Sequence, residues 1–133
     1  MDGEGKLVLI VDDEPDIRSF LADLLTTHGF RCAWADSGGA ALSQIGPLQP
    51  DLVLLDIMMP GMSGIEVLRH IREREDVDPA VVMLSCLSHP NTTLRALDEG
   101  ADHFVVKPFR VSDLMETLDN VIAKRAATAE QVV

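Results

Sequence analysis

Five short apolar runs, each followed by a stretch with helical spacing, constrain this chain more than any other feature. The runs are Lys6–Val11, Arg31–Ala35, Leu52–Leu55, Ala80–Ser85 and His103–Val106. Several are apolar throughout rather than alternating, the pattern of strands covered on both faces. Between them the period changes. Ile17, Phe20, Leu21, Leu24 and Leu25 follow an i, i+3, i+4, i+7, i+8 stripe, with Gly29 suited to the position just past a helix. Ala40–Ile45 predicts a short second helix. Ser63-Gly-Ile-Glu66 reads as a capping box opening a third, with Ile65, Leu68 and Ile71 inward. Pro90–Glu99, closed by Gly100, and a stripe through Val111, Leu114, Leu118, Val121, Ile122 and Arg125 predict two more. Five such units predict an α/β fold. Parallel strands need crossovers, and right-handed crossovers put helices on both faces of one parallel sheet.

The chain's 133 residues suit one domain with a real core. The reading is a single domain over 1–133, with its core at about 6–125 and frayed ends at Met1–Gly5 and Thr128–Val133. No apolar run approaches the ~20 residues of a membrane span. The acidic start Met1-Asp-Gly-Glu-Gly5 lacks the basic region of a signal peptide, so a cytoplasmic location is expected. The net charge of −11 leaves no basic stripe for phosphates, so direct nucleic-acid binding is not expected. Cys32 and Cys86 match no metal or disulfide spacing. His28, His70, His89 and His103 show no ligand spacing either.

In open parallel sheets, ligands bind beyond the carboxyl ends of the strands. There this chain collects its polar residues. The first strand ends Val11-Asp12-Asp13, the third at Asp56, the fourth at Ser85 and the fifth at Lys107. Any one of these acids alone is an ordinary loop residue, because Asp is common in turns. Together they put three mutually repelling carboxylates at one edge. A hard divalent cation relieves that repulsion, and Mg2+ takes one or two carboxylates while keeping several waters. Lys107 supplies a further positive charge.

The motifs Val-Asp12-Asp13-Glu-Pro, Leu-Leu-Asp56-Ile-Met-Met-Pro60-Gly-Met-Ser-Gly64 and Gly100-Ala-Asp-His-Phe-Val-Val-Lys107-Pro108-Phe resemble the receiver domain of two-component response regulators. The resemblance runs from about Lys6 to Arg125. It implies a flavodoxin-like (βα)5 fold, a three-layer αβα sandwich whose five-stranded parallel sheet has the order 2-1-3-4-5. It also implies that Asp56 accepts a phosphoryl group from a histidine kinase, a phosphotransfer protein or a small donor. Asp12, Asp13, Asp56 and the backbone carbonyl of Met58 would hold Mg2+, or Mn2+ in its place, with Asp12 acting mainly through water. Lys107 would pair with a phosphoryl oxygen. Ser85 and Phe104 would be the switch: the hydroxyl moves to the phosphoryl group, the aromatic turns inward, and the face of the fourth helix, fifth strand and fifth helix changes for an output partner. The resemblance also implies a cis bond between Lys107 and Pro108. A phosphorylation-dependent homodimer is a further partner state it allows.

Some positions depart from the family pattern. Met58 and Leu87 flank the expected phosphoryl position and are apolar, which predicts slow hydrolysis, since neither orients a water. Cys86 stands where a smaller residue is usual and narrows the approach of small donors. A redox role for Cys86 is disfavoured in so acidic a corner. Arg110 and Val111 replace a Ser-Pro, and Thr117 replaces an Arg of many DNA-binding relatives, which weighs against the transcription-factor subfamily. Three other readings stay open. An interaction-only pseudo-receiver is opposed by the full set Asp12, Asp13, Asp56, Ser85 and Lys107. An aspartate-nucleophile phosphatase would need an acid where Met58 stands. A flavin carrier would need a phosphate-cradling loop after the first strand. The expected function is a signalling switch that promotes only its own phosphorylation and dephosphorylation, not a turnover enzyme. No effector domain is expected in these residues, which suit either a stand-alone regulator or part of a longer protein.

Overall fold

The computed structural model describes residues 5–86 and 90–131. The side chains of Ser85, Pro90 and residues 128–131 lie outside that description, as do Leu87 and His89. Five strands, β1 (Leu7–Val11), β2 (Arg31–Ala35), β3 (Leu52–Asp56), β4 (Ala80–Cys86) and β5 (His103–Lys107), form one parallel sheet in the order β2-β1-β3-β4-β5. The helices are α1 (Pro15–Thr27), α2 (Gly38–Leu48), α3 (Gly64–Glu73), α4 (Pro90–Asp98) and α5 (Val111–Gln131). This is the flavodoxin-like fold that the resemblance implies.

The strand pleat sorts the core into two layers, since successive side chains leave opposite faces. Leu9, Val11, Val53, Leu55, Val81 and Met83 pack against Ala41 and Ile45 of α2, Ile65, Leu68 and Ile71 of α3, and Ala96 of α4. Val8, Ile10, Leu52, Leu54, Val82 and Leu84 pack against Leu21 and Leu25 of α1 and Leu114, Leu118 and Val121 of α5. Every residue of β3 is buried, as its unbroken apolar run requires.

Local signals set the helix starts. Ser37 Oγ accepts from the Ala40 N–H at 3.2 Å, and Ser63 Oγ from the Glu66 N–H at 3.3 Å. The return bond from the Glu66 side chain is not made among the described residues, so Ser63 caps alone. Proline at the first position of α1 needs no N–H partner.

Two expectations are corrected. Phe20 is 48% exposed: α1 buries only a narrow line through Leu21 and Leu25, and Phe20 falls beside it. The second helix is longer than Ala40–Ile45, running from Gly38 to Leu48 with Pro47 inside its last turn, where its missing N–H costs one bond at a fraying end. The fifth helix runs from Val111 to Gln131 through good helix formers. No helix among the described residues is long and apolar enough to cross a membrane.

Candidate functional site

Register decides which side chains meet. Val11 lies opposite Leu55, so Asp12 and Asp56 follow at the same level on adjacent strands. Cys86 lies opposite Lys107, which brings the lysine to the same edge. Carboxylate oxygens of Asp12, Asp13 and Asp56 all fall within 4.8 Å of one another. Lys107 Nζ stands 3.5 Å from Asp12 Oδ2 and 3.5 Å from Asp56 Oδ1. Four residues expected from the strand ends thus converge. Ser85 follows on β4, with its side chain outside the described residues.

The acids differ in enclosure. Asp12 is 0% exposed and Asp56 6% exposed, whereas Asp13 stands at the rim. Asp12 Oδ1 accepts from the Glu14 N–H at 2.9 Å. Asp12 Oδ2 is buried with no hydrogen-bond partner; Lys107 at 3.5 Å gives it charge attraction but lies beyond a well-formed hydrogen bond. A buried carboxylate oxygen left in that state is costly unless a cation completes it. Asp56 Oδ1 accepts from the Met58 N–H at 3.2 Å. Burial pushes the Asp56 carboxyl above the usual carboxylate range; Lys107 and the Met58 N–H pull it down, while the Asp12 and Asp13 charges push it up. An all-oxygen set of three carboxylates with one orphaned oxygen fits a hard divalent cation better than a soft one.

The flanking residues are distributed unevenly. Met58 is 54% exposed beside Asp56, while Met59 is buried. Gly64, first in α3, lies so close to β3 that a Cβ there would collide with the Asp56 carbonyl oxygen. The Gly64 N–H donates to the Ile57 carbonyl at 2.9 Å, which locks the start of α3 under the acid. Phe104 is half-buried against the α2–α3–α4 layer, its ring 5.6 Å from that of His103. The Lys107–Pro108 peptide is cis. Cys86 is exposed and Cys32 partly buried; neither is in a disulfide. No histidine joins a metal-binding group among the described residues.

One participant was not legible in the sequence. Arg18, in the first turns of α1, donates from Nη1 to the Asp12 carbonyl at 2.8 Å. An Arg one turn into a helix is ordinary, and no spacing signal marks it.

The comparisons with known proteins agree with this fold. Residues 8–119 match the family model of the response regulator receiver domain. The chain is 38% identical over 121 residues to the phosphate regulon transcriptional regulatory protein PhoB of Pseudomonas aeruginosa, covering 90% of this chain and 53% of that protein. It is 39% identical over 115 residues to the DNA-binding response regulator MtrA of Mycolicibacterium smegmatis, covering 86% of this chain and 50% of that protein. The chain therefore spans about half the length of the curated relatives it matches. Both names are those of gene regulators. Among solved structures, the receiver domain of NtrX from Brucella abortus superposes with a TM-score of 0.82 at 32% identity, covering 87% of this chain and 98% of that one. The chemotaxis protein CheY4 of Vibrio cholerae superposes with a TM-score of 0.82 at 29% identity, covering 88% of this chain and 98% of that one. Fold, acidic edge and sequence match converge on one conclusion: the chain belongs to the response regulator receiver domain family of two-component systems.

Proposed function

We propose that Asp56 is the phosphoacceptor of this receiver and that Asp12, Asp13 and the Met58 carbonyl complete a Mg2+ site beside it. The observation that carries the reading is the enclosed Asp56 carboxylate, 3.5 Å from Lys107 and clustered with two further acids. When bound, Mg2+ supplies charge neutralisation among the acids and at a phosphoryl oxygen; Mn2+ has the same preference for oxygen ligands. The chain's own groups do the rest. The Met58 N–H holds Asp56 Oδ1, leaving Oδ2 with no hydrogen bond among the described residues as the attacking oxygen. Attack forms the new O–P bond as the P–N bond of a phosphohistidine, or the P–O bond of a small donor, breaks. The product is an acyl phosphate on Asp56. Lys107 pairs with phosphoryl charge that would otherwise face three acids. Positioning and charge stabilisation supply most of the catalysis in such transfers.

The readout belongs to Ser85 and Phe104. Phe104 sits half-buried on β5, packed against the layer that includes Ala96 of α4. Its movement would alter the α4–β5–α5 face for an output partner or a second copy. A histidine kinase or phosphotransfer protein upstream and a cytoplasmic setting complete the proposal.

Incubation with Mg2+ and acetyl phosphate is expected to add one phosphoryl mass, lost in Asp56→Asn. Because Cys86 borders the edge, phosphoramidate and a phosphohistidine donor serve as parallel arms. Full labelling of Asp56→Asn, or no labelling of wild type by any donor, would overturn the assignment.

A further inference from the structure

Asp12 is the most enclosed acid of the site, and its main chain is held from two sides. Its N–H donates to the Ala35 carbonyl at 3.2 Å, at the end of β2. Its carbonyl accepts from Arg18 Nη1 at 2.8 Å. Asp13 has no such anchoring of its own: its carboxylate takes part in no hydrogen bond or ion pair among the described residues. The peptide between the two acids is planar, so fixing the Asp12 carbonyl orients the Asp13 N–H and Cα. The direction in which Asp13 presents its carboxylate then depends on what grips that carbonyl.

The grip is itself supported. The Arg18 guanidinium lies 4.4 Å from the centroid of the Trp34 ring. Trp34 is 56% exposed on the edge strand β2, directly before the Ala35 that binds the Asp12 N–H. An indole in that place has little core to fill. Its face instead offers the guanidinium a cation–π seat, which confines a long, flexible side chain to the conformation that reaches Asp12.

We propose that Arg18 is a positioning residue of the acidic site, and that Trp34 holds its guanidinium in place. The proposal rests on the reading of Asp12, Asp13 and Asp56 as a divalent-cation site. Two effects of Arg18 on a bound cation oppose each other. As a nearby positive charge it repels the ion, so its removal alone would tighten binding. As the anchor of the Asp12–Asp13 peptide it prearranges the ligands, so its removal loosens binding. Positioning residues around metal ligands commonly matter by about tenfold or more, which exceeds a screened repulsion at a solvent-facing rim.

The test measures Mn2+ binding directly, from the electron paramagnetic resonance signal of the free ion, with the full chain. Arg18→Met removes donor and charge but keeps an apolar stem. Its dissociation constant is expected to rise about tenfold. Trp34→Leu is expected to raise it about two- to fivefold, with Arg18→Lys between wild type and Arg18→Met. Amide exchange gives a second readout: the hydrogen-bonded Asp12 and Glu14 N–H groups exchange faster in Arg18→Met, while Val53–Leu55 of β3 keep their protection. Unchanged or tighter Mn2+ binding in Arg18→Met overturns the inference. So does an equal loss of protection in β3, which marks a general structural role. Wild-type protein that binds no Mn2+ overturns the cation-site reading itself, and the inference with it.

Discussion

Replacing Gly64 by Ala probes the link between the α3 start and the phosphoacceptor strand. A Cβ built at Gly64 lies 2.8 Å from Ile57 Cα and 2.9 Å from the Asp56 carbonyl carbon, closest of all to the Asp56 oxygen. Carbon atoms in contact settle at about 3.5–4.0 Å, so the first overlap is roughly 0.7 Å. All three obstacles are backbone atoms, two of Asp56 at the end of buried β3 and one of Ile57 just after it, and none can rotate away. Relief requires α3 to lift from β3, stretching the bond from the Gly64 N–H to the Ile57 carbonyl and unseating Ile65 and Leu68. Overpacking of this kind costs about 1–3 kcal/mol, and loss of the hydrogen bond about 1 more. The helix-propensity gain of Ala, up to ~1 kcal/mol, offsets part of that, leaving a net loss of about 1–3 kcal/mol. For a chain of this size the midpoint temperature falls by about 4 °C per kcal/mol, or roughly 4–12 °C in all. Gly39→Ala is the control: it also lies near a helix start, but its Cβ meets nothing within 4 Å. It is expected to be neutral or to stabilise by up to ~1 kcal/mol. Urea unfolding followed by far-ultraviolet circular dichroism measures both. If Gly64→Ala stays within about 0.5 kcal/mol of wild type, the argument from close approach is wrong.

Other consequences follow from the same geometry. Burial holds the Asp56 carboxyl above its ordinary range, so the folded state binds a proton more readily than the unfolded chain. Stability is then lost as pH rises from the ordinary carboxylate range through the raised folded value. Asp56→Asn should therefore be more stable than wild type at pH 7 in chelator and equal to it near pH ~3, where the acid is protonated in both states; a less stable mutant at pH 7 would contradict the sign. Mg2+ should reverse the order by stabilising wild type more than Asp56→Asn, read as midpoint shifts in a thermal scan. Met58→Asn puts a water-orienting amide beside the acid and should shorten the phosphorylated lifetime; an unchanged or longer lifetime by phosphate release refutes the shielding idea. Asp102 accepts from Arg72, Arg125 and the Val81 N–H, tying α3, α5 and β4 together. Asp102→Asn should cost about 1–3 kcal/mol in urea unfolding, since both arginines lose a charged acceptor in a mostly shielded place.

The sequence by itself determined the strands and helices, and through the strand ends it marked Asp12, Asp13, Asp56 and Lys107. Such signals are local: apolar runs, a helical period, a Ser before a turn. Each is carried by residues a few positions apart, and the ligand-binding edge of a parallel sheet is a general rule. The order 2-1-3-4-5 came from resemblance, because periodicity alone does not say which strands are neighbours. Tertiary structure decided the rest. Arg18 reaches Asp12 only because α1 packs back onto the sheet beside it, and Trp34 meets Arg18 only because β2 is the edge strand. Phe20 sits within the apolar stripe by sequence yet lies half in solvent, since the width of the buried stripe depends on what packs opposite. The 3.5 Å spacing of Lys107 from two acids sums the registers of three strand pairs, β1 with β3, β3 with β4 and β4 with β5. Slipping any one by a residue would turn these side chains to the opposite face, and no local pattern encodes that sum.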